Sequence, residues 1–264
     1  ELLLQERFPT RIPIIYPHQA EVFAMRGPTM ETRAELTEQL TSPHTVHPIT
    51  RLLSNGRYSV LIDNSGVGSS TFENIALDRA RDDGIASNLG QHIYLREIGG
   101  EGFWSAAYEP SRAEPEFYES IFNPDKVEFR RRDRGITTLT EITVSPEEDV
   151  EVRRVTLTNL SQRRRELEVT SFAEIALASR RADGAHPAFS KMFIESEYLE
   201  EYEALILRRK PRTEHESELY LMHLSVTPVV WAPVQFETSR DLFVGRGGSL
   251  RAPAAMGMGS RLSG

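Results

Sequence analysis

Gly135-Ile136-Thr137-Thr138-Leu139-Thr140-Glu141-Ile142-Thr143-Val144, closed by Ser145-Pro146-Glu147-Glu148-Asp149, is the stretch whose reading decides the fold. Ile136, Ile142 and Val144 share one parity with Thr138 and Thr140 between them, the pattern of a half-buried strand rich in β-branched residues. The proline and the three acids that follow break it. In the next run, Val150 to Asn159, Val150 and Val152 lie on one parity and Val155 and Leu157 on the other, so the phase slips at Arg153-Arg154. A β-bulge would produce that slip. After a polar turn from Asn159 to Arg165, Leu167, Val169, Ala173 and Ile175 alternate with Glu166, Glu168, Thr170 and Glu174. The three runs predict an antiparallel meander with one wet face. Three strands cannot bury a core alone, so a second sheet must cover the apolar side. The expectation is an all-β chain, a large two-layer antiparallel sandwich.

Working upstream, Leu53-Ser54-Asn55-Gly56-Arg57-Tyr58 reads as a hairpin, because a type I′ turn needs positive φ at both central residues. Tyr58, Val60 and Ile62 then share a face. Gly66-Val67-Gly68-Ser69-Ser70 invites a phosphate-loop reading, but neither Gly-Lys-Ser/Thr nor an apolar helix follows, and that reading is rejected. Gly84, Gly90, Gly99 and Gly100 mark turns around a strand from Gln91 to Glu97, in which His92, Tyr94 and Arg96 alternate with Ile93 and Leu95. Downstream, Phe189 to Glu195, Ala204 to Arg208, Leu219 to Val226 and Val234 to Thr238 are further strand candidates. Gly245-Arg246-Gly247-Gly248 is a loop, and the small, glycine-rich tail from Ala252 to Gly264 closes nothing. Residues 1–50 read as an irregular, partly helical connector wrapped on the domain. Pro9, Pro13 and Pro17 force an extended path, and Thr29 to Leu40 is a short helix candidate with Thr29 as N-cap. Residues 51–264 are then the sandwich.

The formal charge of −8 argues against nucleic acid as a partner, since phosphate binding needs a basic face. Arg130-Arg131-Arg132 and Arg163-Arg164-Arg165 are read as solvated turn charges ahead of an anion site, because acids follow each cluster closely. No apolar run approaches the ~20 residues a membrane helix needs. Having no cysteine, the chain has neither a disulfide scaffold nor a thiolate metal site, which agrees with a reducing compartment. It begins at Glu1 without methionine, and is expected to be a piece of a longer protein.

Seven histidines invite a search for metal ligands, but His44 and His47 lack a carboxylate at ligand spacing and the rest are scattered, so no metal is expected. His186, beside Asp183 in Asp183-Gly184-Ala185-His186-Pro187, has the makings of a general base, although a turn histidine satisfied by hydrogen bonds is the commoner case. In Asp78-Arg79-Ala80-Arg81-Asp82-Asp83, a strand would point Arg79 and Arg81 one way, a row of donors for sugar hydroxyls; a salt-bridged edge strand explains the run equally well. The acidic pairs Asp82-Asp83 and Glu147-Glu148 are adjacent. Adjacent strand residues face opposite ways, so neither pair can flank one glycosidic bond, and no catalytic site is expected. Trp104, Trp231, Tyr94 and Tyr108 are candidates for a sugar-stacking platform, against the commoner reading as core aromatics.

Leu53 to Val60, Trp104-Ser105-Ala106-Ala107-Tyr108, Phe129 to Asn159, Ala185 to Lys191 and Gly245-Arg246-Gly247-Gly248-Ser249-Leu250-Arg251 carry a resemblance to the carboxy-terminal part of the cyclic β-1,2-glucan synthetases. That part is similar to the cellobiose and chitobiose phosphorylases of glycoside hydrolase family 94, formerly glycosyltransferase family 36. The resemblance spans most of the chain. It implies a galactose-mutarotase-like β-supersandwich, a non-catalytic domain preceding an (α/α)6 barrel that carries the aspartate acid and takes inorganic phosphate as co-substrate. No cofactor is implied in this chain. The implied partners are β-glucan or oligosaccharide, the barrel and a second copy in a homodimer, and the implied setting is the cytoplasmic, soluble part of a bacterial inner-membrane protein. The resemblance also implies further strands beyond Gly264 and hence an open sheet edge. Within the family's glucan-proximal loop, matched by Gly66 to Gly90, Ser69, Thr71 and Phe72 stand where tyrosine, arginine and tryptophan are usual. Ala80 replaces a second tryptophan, while Arg79, Arg81 and Asp83 remain. These departures remove stacking area. The substrate-binding candidates are therefore Arg79, Arg81, Asp83 and Trp104. The other readings are a stand-alone carbohydrate-binding module and a mutarotase-like enzyme using His186.

Overall fold

The computed structural model describes residues 37–79, 90–211, 216–227 and 233–263. Its strands, in chain order, are β1 (Glu38–Leu40), β2 (Thr50–Ser54), β3 (Tyr58–Asp63), β4 (Gly68–Phe72), β5 (Ile75–Asp78), β6 (Gln91–Glu97), β7 (Phe103–Ser105), β8 (Phe117–Phe122), β9 (Val127–Asp133), β10 (Ile136–Val144), β11 (Glu151–Asn159), β12 (Leu167–Ala173), β13 (Ile175–Ala178), β14 (Ile194–Leu199), β15 (Ala204–Arg209) and β16 (Leu219–Leu224). Three short helices accompany them, α1 (Arg180–Ala185), α2 (Pro187–Lys191) and α3 (Arg240–Val244). The described residues are thus mainly strand, and the chain is all-β.

Four antiparallel sheets form, in the orders β1-β8-β9-β10-β11, β13-β5-β4-β3-β2, β12-β6-β7 and β14-β15-β16. The Asn55-Gly56 hairpin is present: β2 pairs with β3 from Thr50↔Asp63 to Ser54↔Ser59, and Gly56 has φ +96°. β10 pairs with β11 from Ile136↔Asn159 to Val144↔Glu151, as expected. The third strand of the expected meander departs. β12 leaves β11 and pairs with β6, from Leu167↔Glu97 to Ala173↔Gln91, so β11 is an edge strand; β10 has β9 as its other neighbour.

The bulge expected at Arg153-Arg154 is absent, because the β10–β11 register runs unbroken. Glu151, Arg153, Val155 and Leu157 share the more buried parity, and Val152 is 48% exposed. Apolar alternation misled here because the strand turns two charged residues inward. The basic triplet Arg130–Arg132 lies within β9, where Arg131 is wholly buried. Its Nε and Nη2 meet Asp133 at 2.7 and 2.6 Å, and Nη2 also donates to the Ala113 carbonyl at 3.1 Å. Arg165 is enclosed likewise, held by Glu97. Turn solvation therefore describes neither side chain.

Other expectations shift. Gly68–Phe72 and Ile75–Asp78 form a hairpin inside a sheet where the resemblance placed a loop. Glu38–Leu40 is a strand on β8, which overturns the end of the helix drawn over Thr29 to Leu40; the rest of that helix lies outside the described residues. Pro187–Lys191 is helical and β14 starts only at Ile194, while Val234 to Thr238 form no strand.

Leu53, Tyr58, Val60, Ile62 and Leu77 from β2, β3 and β5 pack with Tyr118, Phe122, Val127, Phe129 and Ile142 from β8, β9 and β10 in one buried cluster. β6 is buried on both faces. Leu95 joins Trp104, Ala106 and Ile136 on one side, while Tyr94 joins Phe243, Val244, Leu250, Ala255 and Met256 on the other. The tail therefore does close something: Tyr94 Oη donates to the Leu250 carbonyl at 2.8 Å, and Arg96 reaches the Ser260 carbonyl at 3.1 Å. Burying this apolar face stabilises at roughly 25 cal/mol per Å² removed from water.

Candidate functional site

Of the residues singled out from the sequence, Arg81 and Asp83 lie outside the described residues. Arg79 follows the end of β5 and turns inward, its side chain 2% exposed. Its Nε and Nη2 meet Asp183 of α1 at 2.7 and 2.5 Å, and its Nη1 meets Glu174, between β12 and β13, at 2.9 Å. Lys191 of α2 and Arg240 of α3 reach the same Glu174 at 2.8 and 3.0 Å. Burial by itself would raise the Glu174 carboxyl, but hydrogen bonds and charge from Lys191 and Arg240 outweigh it and hold the group down to about 2. Trp104 of β7 is 2% exposed, packed beside Leu95 and Ala106, with the Arg134 guanidinium 5.9 Å from its ring. Its enclosed ring has no open face for a sugar.

The other aromatic candidates are placed differently. Tyr94 is buried, and Tyr108 lies against His44 at 4.8 Å while donating to Glu114 at 3.1 Å; Trp231 lies outside the described residues. The platform does not assemble from Trp104 and Tyr94. His186, between α1 and α2, is exposed, and the carboxylate of Asp183 is taken by Arg79, so the two do not form an acid–base pair. Among the described residues, no three histidine, aspartate or glutamate side chains are grouped to hold a metal ion.

Sequence reasoning missed a polar cluster where β11 faces β3, β4 and β5. Its inward pair, Glu151 and Arg153, is 4% and 12% exposed and joined at 2.5 Å. Glu151 Oε2 accepts from Ser70 Oγ at 2.6 Å and Tyr58 Oη at 3.2 Å. Arg153 Nη1 donates to the Gln91 carbonyl at 2.8 Å, tying β11 to β6. Asp78 at the end of β5, 1% exposed, accepts the Ser70 N–H on both oxygens, at 3.1 and 3.0 Å. Burial first, and then the charge of Glu151, raises the Asp78 carboxyl to about 7. Burial and the same glutamate also raise the Tyr58 phenol. His92 is pushed down to about 3 by burial and by Arg153. The signal for this cluster was in the sequence as the phase slip of β11, which marked charged residues on the inward parity.

Chemically the cluster holds two carboxylates, a phenol, a serine and a guanidinium, the makings of acid–base work. Their polar atoms are spent on one another and shielded from solvent. The outer face of the five-stranded sheet carries a ladder of ion pairs, with Glu119 and Glu128 on Arg130 and with Glu128 and Glu141 on Lys126. The cations of this ladder are partly exposed while Glu119 and Glu128 are buried beneath them.

The glycosyl hydrolase 94 supersandwich domain family matches residues 33–264. Over 266 aligned residues the chain is 35% identical to the cyclic beta-(1,2)-glucan synthase NdvB of Rhizobium meliloti (strain 1021), covering 100% of this chain and 9% of that relative. It is 28% identical to a 3-O-beta-D-glucopyranosyl-beta-D-glucuronide phosphorylase of Paenibacillus borealis, over 62% of this chain and 20% of the relative. It is 25% identical to a solabiose phosphorylase of the same organism, over 64% of this chain and 21% of the relative. The chain spans 9% to 21% of the length of these relatives.

Proposed function

Because the chain belongs to the glycosyl hydrolase 94 supersandwich domain family, we propose that it is the non-catalytic sandwich domain of a glycosyltransferase or phosphorylase similar to cyclic β-1,2-glucan synthase. In this reading it is a two-layer, mutarotase-like body that supports a separate (α/α)6 barrel. The barrel performs the chemistry on β-1,2-glucan with inorganic phosphate, and the whole is a soluble cytoplasmic part of an inner-membrane protein that pairs as a homodimer.

The observation that carries the reading is the match to the synthase along the entire chain, at 35% identity. The closure of the interior cluster adds support: the carboxylates of Asp78 and Glu151 are buried and bound to protein donors. A glycosidase pair must instead flank a substrate bond and admit water. Of the four substrate-binding candidates, Arg79 and Trp104 are enclosed, which leaves Arg81 and Asp83 as the candidates for glucan contact. Calorimetric titration of the chain with β-1,2-linked glucose oligosaccharides tests the assignment. A supporting domain gives no micromolar binding by itself. Micromolar binding would replace this reading with a carbohydrate-binding module.

A further inference from the structure

Ser70 joins two buried carboxylates that come from different sheets. Its N–H donates to both oxygens of Asp78 at 3.1 and 3.0 Å, and its hydroxyl donates to Glu151 Oε2 at 2.6 Å. Asp78 and Ser70 belong to the sheet β13-β5-β4-β3-β2, whereas Glu151 opens β11, the edge strand of the other five-stranded sheet. Two anions fixed behind one serine and away from water repel each other strongly, and a single proton relieves them. The surrounding charges are few. Arg153 sits beside Glu151 on β11, and Arg180 of α1 donates to Ser69 Oγ at 2.8 Å and acts on Asp78. Tyr58 of β3 gives a hydroxyl to Glu151. His92 of β6 and His223 of β16 face Arg153, and burial followed by that charge pushes both imidazoles down.

We propose that the Asp78–Ser70–Glu151 bridge is a proton-operated joint between the two five-stranded sheets, closed while the carboxylate pair holds one proton and loosened at β11 when both are ionised. β11 is an edge strand, paired to β10 alone, and its bonds to the facing sheet are those of Glu151 with Ser70 and Tyr58. The direction of the response follows from linkage. Asp78 binds its proton more tightly in the closed state, being raised from 3.8 to about 7. Closing is therefore favoured at low pH, loses ground as pH rises from about 4 to about 7, and changes no further above that.

The test is amide hydrogen exchange of the full chain between pH 5 and 8.5, corrected for intrinsic exchange and read at Ser70 and along β11. The opening constant should rise by up to about tenfold per pH unit up to pH 7 and then level, as expected for release of one proton. Asp78→Asn should flatten that rise. A flat profile in the parent chain overturns the proposal. So does a rise with pH that survives Asp78→Asn; His223, whose imidazole burial pushes down, would give the opposite slope. Should the variant not fold, the carbon-13 carboxyl signal of Asp78 in the parent chain decides: a midpoint near 7 supports the joint, and one at or below 4 overturns it.

Discussion

Arg79 and Asp183, 104 residues apart, meet as a two-pronged ion pair, Nε to Oδ2 at 2.7 Å and Nη2 to Oδ1 at 2.5 Å. Both side chains are enclosed, at 2% and 8% exposed. The pair fixes α1 against the end of β5. Removing one partner strands a buried charge, so Asp183→Ala should lower the unfolding free energy by about 3–5 kcal/mol. Replacing both residues by apolar ones should recover much of that, since Lys191 and Arg240 still serve Glu174. Urea denaturation of the single and double variants measures this; a single-variant loss under about 0.5 kcal/mol, typical of surface positions, would contradict it.

Glu174 makes the complementary statement about acid. Its carboxyl is held down to about 2 from 4.5, because Lys191 and Arg240 outweigh the effect of burial. A lowered carboxylate contributes stability that is complete above its unfolded value and is lost as pH falls through its folded one. The contribution, on the order of 3 kcal/mol, should therefore fade between pH 4.5 and 2. In thermal melts over that range, Glu174→Gln should show a shallower fall than the parent chain. Parallel curves would mean that the triple ion pair adds nothing.

Thr138 is completely buried on β10, and its hydroxyl has no hydrogen-bond partner among the described residues. A buried hydroxyl left without a partner costs about 1–3 kcal/mol. Thr138→Val keeps the branched shape and removes the hydroxyl, so the melting temperature should rise. A fall would show that the hydroxyl is satisfied in solution.

Two glycines with positive φ separate backbone strain from crowding. Gly66, at φ +92°, has room for no side chain, since a Cβ there would lie 2.3 Å from the Ala107 Cβ. Gly99, at φ +75°, faces open space. Gly99→Ala should cost only the conformational term, about 1 kcal/mol, and Gly66→Ala distinctly more, because a backbone segment must also move. Equal losses in chemical denaturation would refute the close approach of the Gly66 turn to Ala107.

The parts legible in the sequence were those set by local chemistry. Asn55-Gly56 specified its hairpin through positive φ, and the Thr-Ile alternation of residues 136–144 specified β10. Sheet partners were not legible in the same way. Glu166 to Ile175 shows period two whichever strand it meets, so nothing local told that β12 would leave β11 for β6. Buried charge was the larger blind spot. Arg131 and Arg165 read as solvated turn charges, and Arg79 as a sugar donor or part of a salt-bridged edge strand, because their actual partners are visible only once strands and helices are assembled. The cluster at Glu151 left a trace, as inward-facing charge in β11 looked like a slip of phase.

The proposed supporting role requires that the enclosed carboxylates of Asp78 and Glu151 bind groups of the domain's own interior and break no glycosidic bond. Incubation of the purified chain with β-1,2-linked glucose oligosaccharides and inorganic phosphate, assayed for sugar phosphate, tests it most directly. The account predicts no sugar phosphate from this chain. Phosphate-dependent turnover that disappears in Glu151→Gln, with the variant still folded, would contradict it.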